Sequence, residues 1–211
     1  MPSPTTSEPG AASNSAQQLL ADSEFDEATF IGGDFTHADL RHKTFADCEF
    51  RELSAQEADF QHGSFENCRF VGCDLTMARF GDARLLDVEF IDCKLMGVDW
   101  SQVGGLVFEA GFERCVLTHC SFIGLTMKKA RIQECKADEA NFAGTNLEGA
   151  DFARTNLRGA KFSDTNLTGA DLSLAVNYDV NPSDNRLRKT RFSVAAALRV
   201  AERMGIVIPD K

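Results

Sequence analysis

Residues 143–173 read AGTNLEGADFARTNLRGAKFSDTNLTGADLS, and in them Leu147, Phe152, Leu157, Phe162, Leu167 and Leu172 recur at every fifth position. Ala150, Ala160 and Ala170 stand two places before Phe152, Phe162 and Leu172. A period of five fits neither regular element. On an α-helix five residues advance about 500°, which smears the large residues around the axis. On a flat strand an odd period sends alternate ones to opposite faces. The spacing works when the chain turns a corner inside each repeat: small residue in, polar out, large residue in, then two polar corner residues.

Read outward, the same period runs through most of the chain. Upstream in this phase stand Phe112, Leu117, Phe122, Met127, Ile132 and Phe142, with Ala137 as the exception. An earlier run has its own phase: Leu20, Phe25, Phe30, Phe35, Leu40, Phe45, Phe50, Phe60, Phe65, Phe70, Leu75, Phe80, Leu85, Phe90, Leu95 and Trp100, broken by Ala55. There are 17 Phe against one Tyr and one Trp, so large apolar fillers are selected over aromatic hydrogen bonders. Repeated bends of this kind wind a coil around an apolar axis, with backbone groups paired between neighbouring coils.

The motifs AGTNLEG, ADFARTNLRG, AKFSDTNLTG and ADLS resemble the A(D/N)LXX consensus of pentapeptide-repeat proteins. That resemblance implies an all-β fold: a right-handed quadrilateral β-helix with twenty residues per coil. Phe30, Phe50, Phe70 and Phe90 then form one ladder down a single face, and Phe25, Phe45 and Phe65 another. Nearly eight coils at the strand spacing give a rod of roughly 37 Å.

Three segments are expected: a disordered tail over 1–17, the solenoid over 18–175 with a short bulge near 101–109, and a cap and dimerisation helix over 176–211. The tail is rich in Ser, Thr, Pro and Ala and carries no signal-peptide pattern, which suggests a cytoplasmic protein. No stretch approaches the ~18 apolar residues of a membrane span. Two irregularities stand out. Lys43 takes an inward position and Leu53/Ala55 reverses the small–large order, so a distorted coil is expected over Arg41–Ala55. After Trp100 the phase shifts by two residues.

All seven cysteines (Cys48, Cys68, Cys73, Cys93, Cys115, Cys120 and Cys135) fall on the small inward position, where Cys serves as a small hydrophobe. An odd number without a CxxC pair argues against zinc. His42 and His62, twenty apart at outward corners, make a thin two-ligand site. No metal, no cofactor and no catalytic residue is expected, and no enzyme.

Net charge is −10 with a sequence pI near 4.9, which disfavours direct nucleic-acid binding and suits a basic groove on a partner. Residues 18–100 hold 18 acids and 7 bases, residues 101–175 hold 9 and 8, and residues 176–211 hold 4 and 7. The acidity is therefore polarised onto the N-terminal half, where Asp34, Asp39, Glu49, Asp59, Asp74, Glu89 and Asp99 are the outward candidates for partner binding.

At the C-terminus, Ser193 reads as an N-cap and Gly205 as a helix stop, with Val194, Ala197, Leu198, Val200, Ala201 and Met204 on one side between them. The ending is similar to the C-terminal helix of the Qnr-type and MfpA-type groups of the family. It implies an end-to-end homodimer built on Phe192, Leu198, Val200, Met204 and Ile206, in a rod of roughly 75–80 Å. The same resemblance implies a DNA mimic that binds DNA gyrase or topoisomerase IV and protects it from a poison, giving antibiotic resistance or self-immunity. A docking scaffold for an unrelated partner is the alternative.

Overall fold

The computed structural model describes residues 13–14, 16–104 and 108–207. Its element order is β1 (Ser13–Asn14), α1 (Ala16–Ala21), β2 (Glu24–Asp26), β3 (Thr29–Ile31), β4 (Thr44–Ala46), β5 (Glu49–Arg51), β6 (Ser64–Glu66) and β7 (Arg69–Val71). It continues with β8 (Arg84–Ile91), β9 (Phe108–Glu113), β10 (Ile132–Gln133), β11 (Asp171–Leu172), β12 (Arg191–Phe192) and α2 (Val194–Arg203). Every pairing among the described residues is parallel, and outside β1 and the mid-rod each residue pairs with the one twenty along: Phe25 with Phe45, Phe45 with Phe65, Phe30 with Phe50. Single bridges such as Asp34–Ser54–Asp74 and Asn146–Asn166–Arg186 carry the same offset over the remaining faces. The molecule is a parallel β-solenoid of about eight turns with a short C-terminal helix.

Each corner is made by a residue two places after the large inward one. Its φ is positive, from 49° at Glu27 to 74° at Gly97. Glycine and, to a lesser degree, Asn and Asp adopt that conformation cheaply, which is why they recur there; Glu, Lys and Arg at a corner cost more. The corner N–H groups reach the adjacent coil, as from Glu27 to Ala46 O at 3.0 Å and from Lys129 to Glu148 O at 2.8 Å.

Inside, the rings stack coil on coil. Phe30–Phe50, Phe50–Phe70 and Phe70–Phe90 have centroids 5.3, 4.4 and 4.9 Å apart, with planes within 15° of parallel. Phe25, Phe45 and Phe65 form a second column at 5.1 and 5.0 Å. Between columns the rings meet edge to face, as Phe45 does Phe50 at 5.1 Å. This offset geometry suits the ring quadrupole.

The small inward residue has a second task. Its polar atom donates to the carbonyl of a large inward residue in the preceding coil: Cys73 Sγ to Phe50 O at 3.3 Å, Cys115 Sγ to Phe90 O at 3.2 Å, Thr145 Oγ1 to Phe122 O at 2.7 Å and Thr155 Oγ1 to Ile132 O at 2.6 Å. Whatever the small residue, its backbone N–H can also meet its own turn's carbonyl, as in Ala78 to Leu75 at 3.0 Å and Thr145 to Phe142 at 3.1 Å. Cysteine and threonine thus place their own buried polar atom on the same class of carbonyl, as a second donor to it where a backbone N–H is already bound.

Several sequence expectations are corrected. Leu20 is 51% exposed; Leu19, about 100° away around α1, is the fully buried residue at the N-terminal end. Residues 13–14 and 16–17, read from composition as tail, belong to β1, which pairs with β3, and to α1; residues 1–12 and 15 lie outside the described residues. Over Arg41–Ala55 there is no distortion. The ladders pass through unshifted, and Leu53 fills the axis beside Ala55, both buried. Lys43 is buried because it caps α1, donating to Leu20 O at 3.3 Å and to Asp22 O.

The repeat also continues past residue 175. Asn166 bridges Arg186, Leu172 pairs Phe192, and Thr190 Oγ1 donates to Leu167 O at 2.7 Å. The turn-rich Asn181–Asn185 stretch is one face of a further coil, in which Asn185 Nδ2 plugs Phe162 O at 2.9 Å. Near the middle, the offset changes from twenty to twenty-two, with Phe90 opposite Phe112 and Lys94 opposite Val116. A 3-10 turn at Trp100–Gln102 precedes this shift.

Replacing a middle rung tests the stacking. Phe70→Ala leaves a cavity between two ring neighbours and is expected to cost about 3–5 kcal/mol in urea unfolding, whereas Ile31→Ala, on the exposed face, stays within ~0.5 kcal/mol.

Candidate functional site

A filled axis leaves function to the outer surface. All seven thiols are buried and free. Burial pushes the Cys120 thiol up to about 12, and hydrogen bonding to the Cys115 sulfur together with burial does the same for Cys93. Such thiols are poor nucleophiles. Cys48 is shifted the other way by its hydrogen bond to the Cys68 sulfur, so burial is what all seven share; in the native protein at pH 8 they are expected to resist a disulfide-exchange reagent over an hour and to react together in denaturant, and fast labelling of the native chain would contradict their packing role.

The His42 and His62 rings stack at 4.8 Å with an interplanar angle of 8°. Among the described residues no group of three or more His, Cys, Asp or Glu is arranged to hold a metal. No helix among them is long and apolar enough to cross a membrane.

The seven acidic candidates separate into two classes. Five are matched by a cation: Asp39 with Arg41 at 2.7 Å, Glu49 with Arg51 at 2.9 Å, Asp59 with Arg79 at 3.0 Å, Asp74 with Lys94 at 3.4 Å and Glu89 with Arg69 at 3.5 Å. Asp59, expected to face outward freely, is only 8% exposed beneath Arg79 and Arg41. Asp34 and Asp99 have no cation partner among the described residues and hold local turns, accepting from Thr36 N at 2.9 Å and Ser101 N at 3.1 Å. Hydrogen bonding from the Thr36 hydroxyl, and then from its N–H, keeps the Asp34 carboxyl below the usual carboxylate range.

The unneutralised charge lies elsewhere. Glu24, Asp26, Glu27 and Asp87 are exposed and have no cation within ion-pair distance among the described residues; Asp47 meets only Asn67. Glu27, Asp47, Asn67 and Asp87 are successive residues of one left-handed corner. Sequence reasoning passed over this row because alternation singles out the residue just before each large one, and the corner residue lies two places after it.

At the C-terminal end, Ser193 Oγ accepts from Ala196 N at 3.3 Å, and Gly205 stops α2 with φ 78°. Arg199 donates to Tyr178 O at 3.0 Å, Arg203 pairs with Asp179, and Phe192 stacks on Tyr178 at 6.2 Å. The helix therefore sits on the last coil through Ala196 and its arginines. Val194, Leu198, Met204 and Ile206 face solvent, Met204 being 64% exposed, while Val200 and Phe192 are half-buried.

Comparison with known proteins fits this geometry. The family model described as pentapeptide repeats matches residues 138–173 in eight copies, and that described as a pentapeptide repeat region matches residues 43–104. The chain is a pentapeptide-repeat protein. Within this family, a trypsin-treated variant of QnrB1, a plasmid-mediated fluoroquinolone resistance protein, aligns with a TM-score of 0.59 at 22% identity, over 88% of this chain and 90% of that one. Full-length QnrB1 aligns at 0.51 with 22% identity, over 87% and 90%. At this identity the likeness is one of fold. No curated protein matches the sequence.

Proposed function

We propose that this pentapeptide-repeat protein binds a type II topoisomerase, DNA gyrase or topoisomerase IV, as a mimic of duplex DNA and protects it from a poison. The observation that carries this reading is the concentration of acid on the N-terminal coils of a QnrB1-like rod. Residues 18–100 carry 18 acids against 7 bases. Coils stacked at about 4.8 Å repeat their charges at a regular interval along a straight edge. A rigid row of this kind is complementary to a groove evolved for phosphates, and long-range attraction speeds encounter. The outcome for the cell is resistance to an antibiotic or self-immunity to a toxin.

The working form is a homodimer. Leu198 on α2 and Met204 and Ile206 just past its end are exposed apolar side chains, and Phe192 and Val200 are half-buried. Joining two copies through these side chains buries them and sets the acidic halves at the outer ends of a longer rod.

Titrating the protein into gyrase supercoiling and DNA-cleavage assays with a fluoroquinolone tests both statements. Less cleaved DNA at low dose and inhibited supercoiling at high dose are expected. Leu198→Asp/Met204→Asp is expected to halve the mass by light scattering and to weaken protection about tenfold through lost avidity. No effect on either enzyme at any dose, from a chain of intact fold, would leave a docking scaffold for another partner.

A further inference from the structure

The left-handed corner that carries the free acids changes sign along its length. In the four coils before the mid-rod shift it presents Glu27, Asp47, Asn67 and Asp87; in the four after, Lys129, Gly149, Gly169 and Lys189. The coil of β9 lies between the two sets, since β9 pairs with β8 on one side and β10 on the other. The face leading into this corner follows the same rule, with Glu24 and Asp26 at its first coil and Arg186 and Arg188 at its last.

These charges are unspent. Glu24, Asp26, Glu27, Asp87, Lys129, Arg186, Arg188 and Lys189 are all exposed and have no opposite charge within ion-pair distance among the described residues. Many other charges are matched coil to coil, as in Arg79–Asp59, Arg154–Glu134 and Arg158–Asp138.

Inverting the coil order about the central coil places Glu24 opposite Arg186, Asp26 opposite Arg188, Glu27 opposite Lys189 and Asp87 opposite Lys129. Asp47 and Asn67 come opposite Gly169 and Gly149. A glycine there leaves room for the facing side chain; the Cβ direction at Gly169 has nothing within 4 Å. Two contacts are unfavourable: Glu66 faces Glu148, each with its own cation, Arg84 and Lys128, and Glu109, exposed in the central β9 coil, faces its own copy.

We propose that this face pairs with the same face of a second copy, antiparallel and side by side, about a two-fold axis that crosses the rod at the β9 coil. Such an axis keeps the position across the face and inverts the position along it, so each of these oppositions occurs twice in an isologous contact. Charge complementarity of this kind fixes orientation and register. The contact does not involve α2, and it covers the acidic corner that a topoisomerase would read, so the two engagements exclude each other; self-association is measured without any topoisomerase and is decided separately from the function proposed above.

The experiment uses the full chain carrying Leu198→Asp/Met204→Asp, so that helix contacts do not contribute, followed by sedimentation at 100 mM salt. Arg186→Glu/Arg188→Glu/Lys189→Glu and, separately, Glu24→Lys/Asp26→Lys/Glu27→Lys are expected to weaken self-association by about tenfold or more, all six positions being exposed. Mixing the two variants restores complementary ends and is expected to restore pairing. In addition, Glu27→Cys/Lys189→Cys is expected to form an intermolecular disulfide on mild oxidation, the two sites in one chain being about 38 Å apart. Self-association indifferent to both charge reversals, or variants that do not rescue each other, would overturn the proposal. So would a reversal whose sole effect is lost binding of a short DNA duplex or of polyglutamate, since the basic end would then serve another anion.

Discussion

A strand of two or three residues cannot satisfy its own backbone, and here nearly every N–H and C=O depends on the coil above or below. Glu49 N donates to Ala28 O, Arg69 N to Cys48 O and Glu89 N to Cys68 O, each at 2.8–2.9 Å. That dependence forces a constant offset between coils. Once the offset is twenty, like positions stack, and the requirement propagates to side chains: rings lie on rings, thiols and hydroxyls fall beneath carbonyls, and corners fall on corners. The interior is uniform because the hydrogen bonding is uniform.

The same constraint arranges the surface. A charge at position n meets position n+20, so ion pairing is decided between coils rather than between sequence neighbours alone. Arg79 reaches Asp59 and Arg158 reaches Asp138 in this way, which removes both aspartates from the outer field. What is left includes the corner with Glu27 and Asp87 at one end and Lys129 and Lys189 at the other. The field of the rod is therefore set by register as much as by composition.

Much of this was legible from the five-residue period together with the twenty-residue coil that the family resemblance implied. The five-residue spacing identified the inward residues, and the twenty-residue coil placed Phe30, Phe50, Phe70 and Phe90 in one column. Irregular positions were harder, because periodicity reports side-chain size and not backbone pairing. Leu53 and Ala55 look like a defect in a list of sizes, yet together they fill the same space. Asn181–Asn185 looks like loop chemistry, yet its backbone keeps the ladder and Asn185 does the work of a cysteine or threonine. Leu19 and Leu20 exchange roles because α1 carries its own angular spacing. The partners of Asp59 and Asp74 could be counted only once the corners had been placed.

The topoisomerase reading makes a local demand on the molecule that amide hydrogen exchange measures directly. With purified gyrase in excess, exchange is expected to slow in peptides covering Glu24–Asp99, above all at the Glu27–Asp47–Asp87 corner, while Ser121–Ala170 exchanges as in the free protein. Slowing confined to residues 121–192, or no change anywhere at saturating enzyme, would contradict the claim that the acidic half of the rod is the surface a topoisomerase reads.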